Sequence, residues 1–112
     1  MATSIKKFPS FLVLHLKRFT QKFHKNNYVQ VKIEDFVDFE FEIKLEGNTY
    51  HLMGIINHRG DLDHGHYTSF VYHRETKNWM FFDDANCEIV PNPSRMKSKD
   101  NYILIYELIQ DN

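Results

Sequence analysis

A single cysteine, Cys87, is the only thiol in this 112-residue chain. One cysteine excludes an internal disulfide framework, and no Cys-x-x-Cys pair is present to hold a structural zinc. Glycine (four) and proline (three) are scarce as well, and no repeat, linker or low-complexity segment breaks the chain. Neither sign of charge prevails: the net charge of −1 gives no electrostatic reason to expect nucleic acid or an anionic membrane as partner. Lys6-Lys7 and Lys97-Ser98-Lys99 are too short to form basic patches. No apolar run approaches a membrane span, and the first ten residues lack the apolar core of a signal peptide. The expectation is one domain over residues 1–112, soluble and intracellular (cytoplasmic or nuclear), without a cofactor.

What the chain does have is aromatic side chains, 15% of the total, with ten Phe and six Tyr. Large rings and few breakers suit a sheet that fills one layer with aromatic groups. Phe11 to Phe19 reads as a strand behind Pro9, with Leu12, Leu14 and Leu16 on one face. Val29 to Ile33 is a short second candidate. Phe39, Phe41, Ile43 and Leu45 alternate with charged residues, and Gly47-Asn48 turns the chain into a largely apolar strand over Thr49–Ile56. Cys87 to Val90 and Tyr102 to Leu108 complete the set, and only Pro93 to Lys99 leaves room for a turn or two of helix. The fold class expected is mainly β: a single antiparallel, strongly curved sheet or partly open barrel with little helix.

The run from His66 to His73 and the run from Trp79 to Phe82 flank a short polar connection, Arg74-Glu75-Thr76-Lys77-Asn78. That pattern predicts a β-hairpin. With His73 facing Asn78, His66 falls opposite Ala85, give or take a residue or two. Asp83 then lies across or diagonal to His66, where Cβ atoms stand roughly 4.5–8 Å apart. A carboxylate there fixes an imidazole's tautomer and raises its basicity, which is the base-and-orienter half of a cysteine- or serine-hydrolase site. On spacing alone, an ordinary hairpin with a solvated His and Asp is the commoner case.

Six blocks in order carry a family resemblance. They are Phe8–Phe19 (FPSFLVLHLKRF), Val31-Lys32-Ile33, Tyr50–Gly60 (YHLMGIINHRG), Gly65-His66-Tyr67, Trp79–Asp84 (WMFFDD) and Tyr102–Glu107 (YILIYE). Together they resemble the ubiquitin-specific protease family over residues 8–107, in the C-terminal, palm-side β portion of its papain-like catalytic domain. The resemblance implies thiolate attack on the carbonyl of ubiquitin's C-terminal glycine. It implies His66 as general base and acid and Asp83 as its orienter, with Asp84 a supporting polar group near the developing oxyanion. Sequence leaves the roles of the two acids exchangeable. It further implies that the loop of residues 59–64 borders the channel for ubiquitin's tail, that residues 21–30 form the neighbouring loop, and that Tyr67 lines a slot shaped for bare Gly-Gly backbone. On that basis His58, Gly60, His64, Gly65 and Tyr67 are the expected substrate-binding residues, with ubiquitin or a ubiquitin-like protein as partner.

The departures bear on function as much as the matches do. In the family the nucleophile sits in a Gly-Asn-Thr-Cys-Tyr-type block at the start of a helix, and this sequence holds no such block. Cys87, three residues past Asp84 with no helix N-terminus to stabilise a thiolate, reads as a buried or half-buried structural cysteine. His58, Asp61, Asp63, His64 and His66 match no compact metal motif, so no metal ligand is assigned. Trp79, Phe81 and Phe82 read as core, and Lys17-Arg18 as a solvated strand end, a sheet anchor or a ubiquitin-facing pair. Three readings follow: one lobe of a thiol deubiquitinase, inert until a separate N-terminal lobe supplies the cysteine; a non-catalytic ubiquitin-binding module; or a scaffold.

Overall fold

The computed structural model describes residues 8–33, 37–61 and 64–109, and the fold within them is antiparallel β throughout. In chain order the strands are β1 (Phe11–His15), β2 (Phe19–His24), β3 (Asn27–Lys32), β4 (Glu42–Leu45), β5 (Asn48–Arg59), β6 (His66–His73), β7 (Asn78–Asp83), β8 (Asn86–Val90) and β9 (Asn101–Ile109). A short 3₁₀ helix, Pro93–Met96, joins β8 to β9. The main sheet runs β1-β9-β5-β6-β7-β8, with β4 pairing β5 as well, and it is open, ending at β1 and β8. β2 and β3 form a separate two-stranded sheet.

Tight turns set this arrangement. Lys25-Asn26 and Glu46-Gly47 each place two consecutive residues at positive φ, the geometry that closes a two-residue hairpin without splaying its strands. Residues 21–30, expected as a loop, are therefore mostly the β2–β3 hairpin, with Phe23 opposite Tyr28 near its tip. The strand expected over 11–19 ends at His15. β9 carries an extra residue, Tyr102, between the partners of Ile56 and Asn57, and the resulting bulge swings its ring against His15 and His58. Past that point Arg18 turns inward and is buried. Its Nε donates to the Asn101 carbonyl (2.8 Å) and its Nη1 to that of Ile33 (3.2 Å), so of the readings open for Lys17-Arg18 the anchor holds for Arg18.

The two faces of the main sheet differ. One buries Tyr50, Leu52, Ile55, Trp79, Leu104 and Tyr106 beneath Phe39 and Met96. Tyrosine hydroxyls tie the cover down: Tyr106 donates to the Glu40 carbonyl (2.6 Å) and Tyr50 to that of Pro9 (2.8 Å). Burial, and secondarily the Glu40 charge, raises the Tyr106 pKa above its ordinary 10.0. The opposite face carries Phe11, Val13, Val71, Phe82, Cys87 and Ile89, all exposed. Phe82, expected in the core, sits here because Phe81 takes the inward position. Cys87, opposite Phe82 in the register, is likewise exposed and not buried as expected. No helix among the described residues is long and apolar enough to cross a membrane.

Candidate active site

The β6–β7 hairpin has the register its sequence predicts, with His73 opposite Asn78 and Ser69 opposite Phe82. The four-residue connection closes with Lys77 at positive φ (56°). His66 is the first residue of β6 and Asp83 the last of β7. Continuing the ladder sets Thr68 across from Asp83 and His66 on the diagonal. There the imidazole Nε2 lies 2.7 Å from Asp83 Oδ1. A carboxylate only accepts, so Nε2 carries the proton in the neutral ring and the Nδ1 lone pair is left open. Both side chains are substantially exposed, 50% and 39%, and water screens the pair accordingly.

Asp84 begins the two-residue turn between β7 and β8 and holds a positive φ of 51°. His66, Asp83 and Asp84 offer one ligand atom each within 4.8 Å of one another, a trio able to meet a cation, although Asp83 is already engaged by the ring. Cys87 occupies the face opposite Asp83, since Asp83 pairs with Asn86 and Cys87 with Phe82.

Adjacent strand residues point to opposite faces, and that rule divides the remaining candidates. Arg59 pairs with His66 on one face; His58 pairs with Tyr67 on the other. Tyr67 is half exposed, whereas His58 is only 1% exposed and meets Phe19, Tyr67 and Tyr102 at ring-centroid distances of 5.4, 4.8 and 5.8 Å. Neither ring nitrogen of His58 has a hydrogen-bond partner among the described residues. The backbone of Gly65 passes directly over that ring. A Cβ there would drive into His58 Nε2 and come within 2.6 Å of the Asp61 carbonyl oxygen. Gly60 has a φ of +95°, a conformation for which glycine is suited. His64 is exposed at the turn before Gly65, and Asp63 falls outside the described residues.

Sequence reasoning missed a buried polar chain behind this site. Asn101, fully buried, donates from Nδ2 to Asn57 Oδ1 (2.8 Å) and the Met96 carbonyl (3.0 Å), while its Oδ1 accepts from Ser98 N (2.8 Å). Asn57 in turn donates to Thr68 Oγ1 (3.1 Å), two residues along from His66. Nearby, Lys32 Nζ donates to the His58 carbonyl (2.8 Å), and Asp100 stands between Lys32 (4.0 Å) and Arg59 (3.4 Å). Two asparagines inside strands oppose strand propensity, and that was the available signal.

Comparison with known proteins adds to the geometry. Residues 2–106 match the family model described as ubiquitin carboxyl-terminal hydrolase. Ubiquitin carboxyl-terminal hydrolase 9 of Arabidopsis thaliana is 33% identical over 114 residues, covering 93% of this chain and 12% of that protein. Ubiquitin carboxyl-terminal hydrolase 15 of Homo sapiens is 32% identical over 109 residues, 88% of this chain and 11% of that one. Among solved structures, the Ubp8-Sgf11-Sgf73-Sus1 SAGA DUB module superposes with a TM-score of 0.79 at 31% identity, over 95% of this chain and 25% of the matched one. The Ubp8/Sgf11/Sus1/Sgf73 module bound to ubiquitin aldehyde gives 0.75 at 29%, over 93% and 25%. The chain thus spans about an eighth of the length of its curated relatives.

Proposed function

Because this chain belongs to the ubiquitin carboxyl-terminal hydrolase family, we propose that it supplies the acid–base half of a thiol-dependent deubiquitinase site and is inert without a nucleophile from elsewhere. The observation that carries this reading is the 2.7 Å contact between His66 Nε2 and Asp83, which leaves Nδ1 as the base. In the proposed reaction Nδ1 takes the proton of an incoming thiol, and the thiolate attacks the carbonyl of ubiquitin's terminal glycine. The ring then returns that proton to the leaving amine. Asp83 holds the tautomer and stabilises the imidazolium. Asp84, beside it, is a supporting polar group for the developing oxyanion.

Tail recognition falls to Gly60, His64, Gly65 and Tyr67, with His58 acting from beneath. Its ring props Tyr67 and forces residue 65 to be glycine, which keeps the slot walls close to bare backbone. One feature supports a second lobe: the exposed His66–Asp83 pair gains electrostatic strength once another surface excludes water from it. A ubiquitin-binding module without catalysis is the second reading, favoured by Cys87 lying on the wrong face to serve His66.

Titrating isotope-labelled ubiquitin with this chain tests recognition. Amide shifts concentrated on ubiquitin's C-terminal tail are expected, and silence at millimolar protein would overturn the reading. A ubiquitin C-terminal fluorophore should stay uncleaved by the isolated chain. Cleavage abolished by Cys87→Ser would refute its inertness.

A further inference from the structure

The main sheet is notched along β5. On the edge of β5 away from β9, β4 pairs as far as His51 and β6 only from Gly54 onward. A cavity of about 270 Å³ fills the gap where the two strands part. Phe41, Tyr72 and Trp79 wall it above buried Leu52. The Trp79 indole is the hub, with Phe41 6.2 Å away at 69° and Tyr72 5.5 Å away at 57°. Three inclined ring systems thus meet around one space. Glu42 and His51, cross-strand partners half exposed to water, stand at its mouth with Oε1 and Nε2 3.8 Å apart. Tyr72 lies six residues along β6 from His66, roughly 20 Å at strand spacing, well away from the acid–base pair.

From these walls we infer that the notch binds a methylated ammonium group, the head of a trimethyl-lysine side chain or of a choline-like small molecule.

Aromatic faces carry the negative part of the ring quadrupole and attract a cation that has shed its water. The cluster already does this once within the chain: Lys97 Nζ lies 5.3 Å from the Phe39 centroid and 5.7 Å from that of Phe41. Lys97 is not part of the cavity lining, and Asp38 balances its charge at 2.6 Å. An incoming cation therefore meets the Glu42 carboxylate and not a net positive field. The same carboxylate and ring faces turn an anion away. An unmodified lysine is a poorer occupant, because its three N–H donors hold water strongly and ring walls offer them no acceptor. Methylation removes those donors and spreads the charge over apolar surface that the rings can cover. Space is sufficient: a cavity of about 150 Å³ takes a benzene-sized molecule, and this one is larger.

Trp79 is the chain's only tryptophan, so its emission reports on this cavity alone. The probes are Nα-acetyl-trimethyl-lysine amide, its neutral analogue with carbon in place of the ammonium nitrogen, the unmethylated lysine amide, and choline. The trimethyl-lysine derivative should change the emission saturably, binding at least about fivefold more tightly than the neutral analogue or unmethylated lysine. Choline that binds as tightly assigns the head group alone. Weaker choline assigns a side chain carried on a protein. Tyr72→Leu removes one ring face but keeps apolar bulk, and Glu42→Gln removes the charge at an exposed position; each should weaken the derivative at least about threefold. Should Tyr72→Leu fail to fold, Glu42→Gln still decides. No saturable change by tens of millimolar, a smaller margin over the neutral analogue, or affinity unmoved by Glu42→Gln would each overturn the inference.

Discussion

Replacing Gly65 with alanine should be among the most damaging one-carbon changes available to this chain. Its backbone is not in the left-handed region, so no conformational penalty attaches to a side chain. The obstacle is steric: the new Cβ overlaps His58 Nε2 and approaches the Asp61 carbonyl oxygen at 2.6 Å. His58 has nowhere to retreat, being 1% exposed and hemmed in by Phe19, Tyr67 and Tyr102. Forcing an extra methyl into a filled site costs about 1–3 kcal/mol, and this site lies toward the upper end because both neighbours are held. For a domain near this size, about 1 kcal/mol lowers Tm by roughly 4–8 °C, so a drop of about 10–15 °C is expected. Urea unfolding followed by Trp79 fluorescence measures the loss, with an unchanged m-value indicating a change in stability alone. The diagnostic step is the double variant with His58→Ala. Removing the ring makes room for the methyl, so the pair should cost at least about 1 kcal/mol less than the two single losses summed. Additivity within about 0.5 kcal/mol, or a nearly neutral Gly65→Ala, would refute the reasoning.

Other expectations follow from single contacts. Asn101→Leu removes the hub of the buried polar chain and leaves Asn57 and the Met96 carbonyl without their donors, so destabilisation of about 2–4 kcal/mol is expected by urea titration, at about 1–3 kcal/mol per orphaned group. Asp84→Gly relieves the positive φ of 51° and should raise stability by up to about 1 kcal/mol, while removing the acid beside Asp83. Once a thiol lobe is supplied, that variant should be more stable and less active. The raised pKa of Tyr106 means that the folded state holds this proton more tightly than the unfolded chain. Its contribution is full below the ordinary value of 10.0 and is lost as pH rises through the folded-state value. A Tm profile that steepens downward above that pH, and that flattens in Tyr106→Phe, checks the sign.

Much of this was legible in sequence because its cues are local. The β6–β7 register is set by a short polar connection between two alternating runs, and it brings His66 to Asp83 without reference to any distant residue. The strands around Thr49–Ile56 and Tyr102–Leu108 likewise show as apolar runs. The β2–β3 hairpin was not legible, because Thr20, Gln21 and Lys22 break any alternation, although the Lys25-Asn26 pair offered a turn signal. Asn101 escaped for a different reason, and Arg18 showed only as one of three alternatives. Their burial depends on each other across 83 residues of sequence, and a charged or amide side chain announces no partner. The same holds for Gly65, whose need for glycine is written in the ring of His58 and not in its own backbone.

Strand order has a consequence for biosynthesis. β9, the last described strand to leave the ribosome, lies between β1 and β5 and pairs with both. Until it emerges, β1 has no neighbour in the sheet and β5 presents a bare edge beside its most apolar stretch. The centre of the sheet therefore stays open until β9 is made, and closing it joins segments as distant as Phe11 and Glu107. Such topology folds slowly and exposes strand edges while it does so. A pause in synthesis before Asn101 would prolong the exposure of that β5 edge.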